Sequence, residues 1–195
     1  MSRARMALAA LTLALAGVAG TLLWVTLRGE DVGTASVGGP FTLTDETGRT
    51  VTEADFEGRP TVIFFGFTFC PDVCPTTLYE LTLLMQDLGE DADKVNWLFV
   101  SVDSARDTPE QLAQYTSAFD SRILGLSGTE AQIAAIAKQY FVYYKRVPLE
   151  GGDYTMEHTA TVFLMDSGNH LFGTIGYGEA PAMALSKLRR LVRDG

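Results

Sequence analysis

Cysteine is almost missing from this sequence: Cys70 and Cys74 are the only two in 195 residues. Two cysteines make no disulfide framework, so the fold must rest on a hydrophobic core, for which the chain is long enough. Histidine is as scarce, with His158 and His170 alone. Basic residues are also in short supply. Three of the 15, namely Arg3, Arg5 and Arg28, fall within residues 1–28, where no acid occurs, so 12 basic residues face 24 acidic ones in the rest of the chain. A domain with that acidic excess is poorly suited to phosphate backbones, which argues against a nucleic-acid partner. It keeps the domain soluble and draws cations or a basic partner toward it. Low-complexity segments and internal repeats are absent as well, and 47% of the residues are hydrophobic, so an ordinary globular domain is expected.

Charge is absent altogether from Met6–Leu27, a run of 22 residues. That length crosses a bilayer core of about 30 Å with some tilt. Arg3 and Arg5 precede the run, which by the positive-inside rule keeps the N-terminus cytoplasmic and exports the remainder. Ala16–Gly20 also resembles the small-residue end of a cleavable signal peptide. Apolar character continues through Leu22, Leu23, Trp24 and Val25, which favours an anchor. The expected organisation is therefore an anchor over residues 1–28, a flexible tether over 29–40 and one domain over 41–195. The single-pass anchor is expected in a bacterial inner membrane, with the domain on the periplasmic side.

Within 41–195 the pattern predicts an α/β fold. Phe41–Val51 alternates and turns at Glu46–Gly48, as a hairpin does. Thr61–Phe67 is a continuous apolar run, the mark of a strand buried on both faces, and it leads straight into Cys70-Pro71-Asp72-Val73-Cys74-Pro75. Leu78, Leu81, Leu84, Met85 and Leu88 follow at helical spacing. Pro75 suits a first turn, so regular helix is expected from about that residue, with Cys74 as its cap. Val95–Val102 predicts a second buried strand. Asp107-Thr108-Pro109-Glu110 resembles a capping box with Asp107 as the cap. Ile123–Leu126 reads as a short strand and Thr129–Tyr144 as a helix in which Tyr140, Phe141, Tyr143 and Tyr144 pack. Gly151-Gly152 between two extended arms predicts a protruding hairpin. Thr159–Met165 and His170–Tyr177 read as paired strands, and Ala180–Arg193 as a final helix whose Lys187, Arg189, Arg190 and Arg193 favour the C-terminal dipole end. A βαβ unit followed by ββα is the thioredoxin-like arrangement.

The cysteines fall where a central strand hands over to a helix, a place that stabilises thiolates. Thioredoxin-type oxidoreductases separate their cysteines by two residues; here three intervene. Four positions are about one helical turn, so both sulfurs can face one metal. His158 opens the strand whose preceding loop lies against the cysteines in such a fold, which makes it the candidate third ligand. His170 sits in a turn at the far end of that strand and is expected to be solvated. Two thiolates and one imidazole suit copper, whereas structural zinc requires four closed ligands. Asp103 is a candidate outer group near the metal. Met156 shares a strand face with His158, and packing explains it better than a thioether–copper bond.

The motifs CPDVCP at 70–75 and VDSARDTPEQL at 102–112, with His158-Thr159 late in the chain, resemble the Sco/SenC/PrrC family of cytochrome oxidase assembly proteins. The resemblance covers about the whole exported domain and includes the single N-terminal anchor. Ser104 departs from it, since many members carry proline there. The resemblance implies that Cys70, Cys74 and His158 ligate copper and that Cys70 and Cys74 form a redox disulfide pair. It implies a metallochaperone, with thiol–disulfide oxidoreductase activity left open, and with cytochrome c oxidase subunit II or a related oxidase subunit and other copper chaperones as partners. A thiol–disulfide reductase acting on the oxidase copper-site cysteines is the alternative, and it would not require His158. A thiol peroxidase fits less well, because Thr68-Phe69-Cys70 lacks the spacing and upstream proline of peroxiredoxins.

Overall fold

The computed structural model describes residues 15–21 and 36–195. They fall in two units, one ending at Ala35 and one spanning Ser36–Gly195. Residues 15–21 are helical. The rest of the apolar run Met6–Leu27, and the tether as far as Ala35, lie outside the described residues. Among the described residues, no helix is long and apolar enough to cross a membrane.

In Ser36–Gly195, β1 (Thr42–Asp45) and β2 (Thr50–Thr52) form the N-terminal hairpin, with Leu43 opposite Val51. The next elements are β3 (Thr61–Gly66), α1 (Val73–Leu88), β4 (Asn96–Ser101), α2 (Pro109–Ser117), β5 (Ile123–Ser127) and α3 (Glu130–Gln139). Then come β6 (Tyr144–Pro148), β7 (Tyr154–His158), β8 (Val162–Met165), β9 (Leu171–Ile175) and α4 (Pro181–Asp194). Seven strands make one sheet in the order β2-β1-β5-β4-β3-β8-β9. β3, β4 and β5 run parallel, while β8 lies antiparallel to β3 and β9 to β8. This is the expected thioredoxin-like arrangement.

Every residue of β3 is buried, as its unbroken apolar run requires, and β3 lies inside the sheet between β4 and β8. Leu78, Leu81, Leu84, Met85 and Leu88 of α1 all enter the core. Each such side chain contributes about 1.5–3 kcal/mol by leaving water, so the helix that begins at the cysteines is firmly seated. α1 also packs against α4.

Some boundaries differ from expectation. α1 starts at Val73 with Asp72 as its N-cap, so Cys74 is inside the first turn rather than capping it. α2 is capped by Thr108, whose side chain accepts from the Gln111 N–H, and not by Asp107. α3 stops at Gln139, short of the expected Tyr144. There Phe141 N–H bonds to Lys138 O and Val142 N–H to Ala137 O, while Phe141 takes φ 53°. That is a Schellman ending with a phenylalanine in the left-handed position usually held by glycine. Tyr140 is buried, but Phe141 and Tyr143 are well exposed rather than packed. In α4 only Arg193 serves the last turn; Lys187 instead donates to Thr174 O and pairs with Glu179. The protruding hairpin is present: β6 and β7 form a separate two-stranded sheet, joined through Gly151 and Gly152, both at positive φ.

Candidate metal centre

The site forms where β3 ends. Cys70 lies in the turn after it, with its N–H directed to Phe67 O at 3.3 Å, and Cys74 lies in the first turn of α1. A helix start leaves its first backbone N–H groups without intrahelical partners. One of them, on Cys74, donates to Cys70 Sγ at 3.4 Å. His158 closes β7, and its Nε2 stands 3.3 Å from Cys74 Sγ. The three ligand atoms all lie within 4.8 Å of one another. Cys74 is fully buried, and Cys70 is partly open.

The two thiols divide one proton between them. The Cys74 S–H donates to Cys70, and this bond, aided by His158 and by the backbone amides of Cys74 and Asp72, outweighs burial and holds the Cys70 thiol at about 3. Cys74, as donor to Cys70 and as a buried group, is pushed well above the usual thiol range. Cys70 is thus the exposed thiolate and Cys74 the enclosed thiol.

The imidazole is oriented from behind. His158 Nδ1 is 3.0 Å from the carbonyl oxygen of Thr159, which can only accept, so Nδ1 carries a proton and Nε2 is the nitrogen turned to the sulfurs. Phe64 and Phe67 meet the ring edge-on, with centroids at 6.1 and 5.8 Å. Gly66 makes room for the sulfur. A Cβ there would stand 2.9 Å from Cys74 Sγ and 2.7 Å from Phe99 Cε2.

The loop between β4 and α2 holds the surroundings in place. Asp107 is buried and accepts from the Thr68 amide at 3.0 Å, the Thr68 hydroxyl at 2.7 Å and the Ser101 hydroxyl at 2.6 Å. Burial raises its carboxyl above the usual range despite these bonds. Asp107 therefore anchors the segment that leads to Cys70. Asp103 accepts from Arg106 Nε at 2.6 Å and from the Tyr154 hydroxyl at 2.7 Å, which ties it to the hairpin that carries His158.

The expected trio is thus assembled by the fold. His170 stays apart, with its side chain 79% exposed beside Asp166. Met156 packs in the core. Two soft sulfurs and one oriented imidazole, clustered this closely, fit Cu(I) by donor type. Among the described residues, no fourth His, Cys, Asp or Glu joins the group, so a closed zinc site is not built. The parts that sequence reasoning missed are Gly66, Thr68 and the anchoring role of Asp107. One signal was available for the last: Thr108-x-x-Gln111 is itself a capping pattern, which frees Asp107 for other work.

Comparison with known proteins agrees with this geometry. The family model SCO1/SenC matches residues 29–193. The mitochondrial protein SCO2 of Saccharomyces cerevisiae is 36% identical over 164 residues, covering 83% of this chain and 54% of its own length. Protein SenC of Rhodobacter capsulatus is 39% identical over 140 residues, covering 71% of this chain and 63% of its own. The chain thus spans between half and two thirds of the length of these relatives. Among solved structures, copper-bound ScoI of Bradyrhizobium japonicum is similar at 47% identity and a TM-score of 0.75, over 80% of this chain and 99% of that one. Yeast Sco1 with copper bound is similar at 34% identity and a TM-score of 0.76, over 82% and 90%.

Proposed function

The chain belongs to the SCO1/SenC family, and on that premise we propose that it is a copper chaperone that supports assembly of the copper centre of cytochrome c oxidase. Cys70, Cys74 and His158 hold the metal. The observation that carries the reading is the gathering of two sulfurs and one imidazole nitrogen within 4.8 Å, in a chain similar to proteins solved with copper bound.

Copper is cargo here, so the site must both bind it and let it go. Cys70 is the accessible thiolate that meets incoming metal. Cys74 gives up its proton as it ligates, and Nε2 of His158 completes three donors. An open, three-donor site leaves room for a ligand of the receiving protein to enter before the donor thiols leave. The partners are cytochrome c oxidase subunit II or a related oxidase subunit, and the chaperones that supply copper. Residues 1–28 anchor the protein in the bacterial inner membrane, and residues 29–40 tether the domain on the periplasmic side.

A second reading is favoured by the thiol chemistry itself. Cys70 as a thiolate beside a proton-bearing Cys74 is also the geometry of a disulfide reductase. Cys70 would attack a substrate disulfide, and Cys74 would then displace the substrate thiol, leaving Cys70–Cys74 oxidised and the substrate reduced by two electrons. Metal analysis of the purified, reduced protein separates the two. The copper reading expects tight binding near one copper per chain, a strong loss in His158→Ala and no Cu(I) binding once Cys70 and Cys74 are oxidised. A His158→Ala protein with undiminished copper affinity would leave the reductase as the better account. A reporter fused after Gly195 should be active only outside the cytoplasm.

A further inference from the structure

We propose that Arg106 is a positioning residue that locks the strand carrying His158 to the loop carrying Cys70, so that the imidazole is held against the sulfurs before any metal arrives. This rests on the copper reading above and adds the residue that presets its third ligand.

The need for such a lock follows from topology. β7, which ends in His158, pairs with β6 alone, in a two-stranded sheet separate from the main one. A two-stranded hairpin is marginally stable in water by itself. Cys70 and Cys74, by contrast, sit in the turn after β3, a fully buried strand of the main sheet, and in the first turn of a helix packed into the core. The distance between the imidazole and the thiols therefore depends on what ties the hairpin to the body.

Arg106 makes that tie from both sides. Its Nη1 donates to the backbone carbonyl of Tyr154, the first residue of β7, at 2.9 Å, and reaches Asp153 at 3.4 Å. Its guanidinium carbon lies 3.7 Å from the Tyr154 ring centroid and 4.6 Å from that of Phe69, the residue before Cys70. Nε is fixed by the buried Asp103 at 2.6 Å, and Asp103 also takes the Tyr154 hydroxyl. One planar cation thus touches the Cys70 loop through Phe69 and the His158 strand through ring and backbone of Tyr154.

The cost of the arrangement is visible. Nη2 is buried with no hydrogen-bond partner among the described residues, an unfavourable state for a polar group. A residue serving only to neutralise Asp103 could be a lysine, which needs neither a ring on its face nor a second donor. Lysine offers no plane to stack and no fork to bond Asp103 and the Tyr154 carbonyl together.

A double-mutant cycle on the full chain tests the lock. Wild type, Arg106→Ala, Arg106→Lys and His158→Ala would be compared with Arg106→Lys/His158→Ala, all reduced, for Cu(I) affinity by competition with a chromophoric chelator. Near-UV circular dichroism would check packing in each. Outer groups that orient a metal-bound histidine typically control affinity about 10–100-fold. Both Arg106 variants should lose affinity in that range, and Arg106→Lys should cost nothing further once His158 is gone. The metal-free proteins supply a second reading: amide exchange across Tyr154–His158 should quicken in both Arg106 variants. Losses that multiply in the double variant, or exchange unchanged in Arg106→Lys, would overturn the proposal, and Arg106→Lys serves where Arg106→Ala does not fold. Copper bound equally by wild type and His158→Ala would instead overturn the copper reading, with the exchange experiment still deciding the lock.

Discussion

Asp107 and Thr68 stand 39 residues apart in the chain, yet the Asp107 carboxylate takes both the backbone N–H and the hydroxyl of Thr68. The Ser101 hydroxyl adds a third donor from the strand side. Asp107→Ala would strand the buried Ser101 hydroxyl, at about 1–3 kcal/mol, and the partly buried Thr68 donors, at less. A lower denaturant midpoint is expected, together with looser packing of the turn before Cys70. Asp107→Asn keeps one acceptor oxygen and should lose less. A midpoint in Asp107→Ala equal to wild type would show that the turn does not depend on this carboxylate.

The same residue predicts an unusual pH slope. Its folded carboxyl is raised above the ordinary value of 3.8, chiefly by burial. The folded state therefore holds the proton more tightly than the unfolded one, so this group's contribution falls as pH rises above about 3.8. Asp45 runs the other way. Burial raises its carboxyl, but bonds from Thr47 and Arg49 outweigh this and bring it to about 2. Its contribution is full above 3.8 and is lost as pH falls toward 2. Stability curves of wild type, Asp107→Asn and Asp45→Asn from pH 2 to 6 should separate the two. Removing Asp107 should steepen the rise of stability with pH in that window, and removing Asp45 should flatten it.

Gly66 sets a steric condition on the metal centre. Adding a methyl group there meets Cys74 Sγ and the Phe99 ring at under 3 Å. Neither neighbour can swing away, since Cys74 belongs to the first turn of α1 and Phe99 lies in β4 at the core. Gly66→Ala should cost about 1–3 kcal/mol, as overpacking does, and should weaken copper binding by displacing one sulfur. Thermal melts and copper titration read the two effects separately. Full copper affinity in a folded Gly66→Ala protein would mean that the sulfur has more freedom than its surroundings suggest.

How much of this was legible in the sequence depends on the range of the interaction. The β3 run and the α1 stripe are local patterns, and both elements formed as read, with α1 starting two residues sooner. The cysteine spacing and the late His158 pointed to a metal, while the copper ligand set itself came with the family resemblance. The clamp around them was not legible, because Asp107–Thr68 and Arg106–Tyr154 join residues roughly forty or more apart that carry no periodic signal. The end of α3 was misread for a different reason. Tyr140 still fits the buried stripe, and a phenylalanine in the left-handed position gives none of the warning that a glycine would.

The division of labour between the two thiols yields the sharpest chemical expectation. Cys70 is partly open and lies far below the usual thiol range, mainly because the Cys74 S–H donates to it. Cys74 is enclosed and shifted upward by that same bond and by burial. Only thiolates alkylate at useful rates, so iodoacetamide should modify Cys70 selectively. The rate should stay nearly level from pH 5 to 8, where an ordinary thiol would gain about tenfold per pH unit. Cys74 should remain unmodified in the folded protein. Cys74→Ala removes the donor while leaving the backbone N–H in place, so the Cys70 profile should move up toward that of a normal thiol, though not fully, because the helix start still favours the anion. Peptide mapping after timed alkylation reads each cysteine separately. A Cys70 rate that climbs steeply through pH 8 in wild type, or a profile unmoved by Cys74→Ala, would show that the thiols do not share a proton in this way.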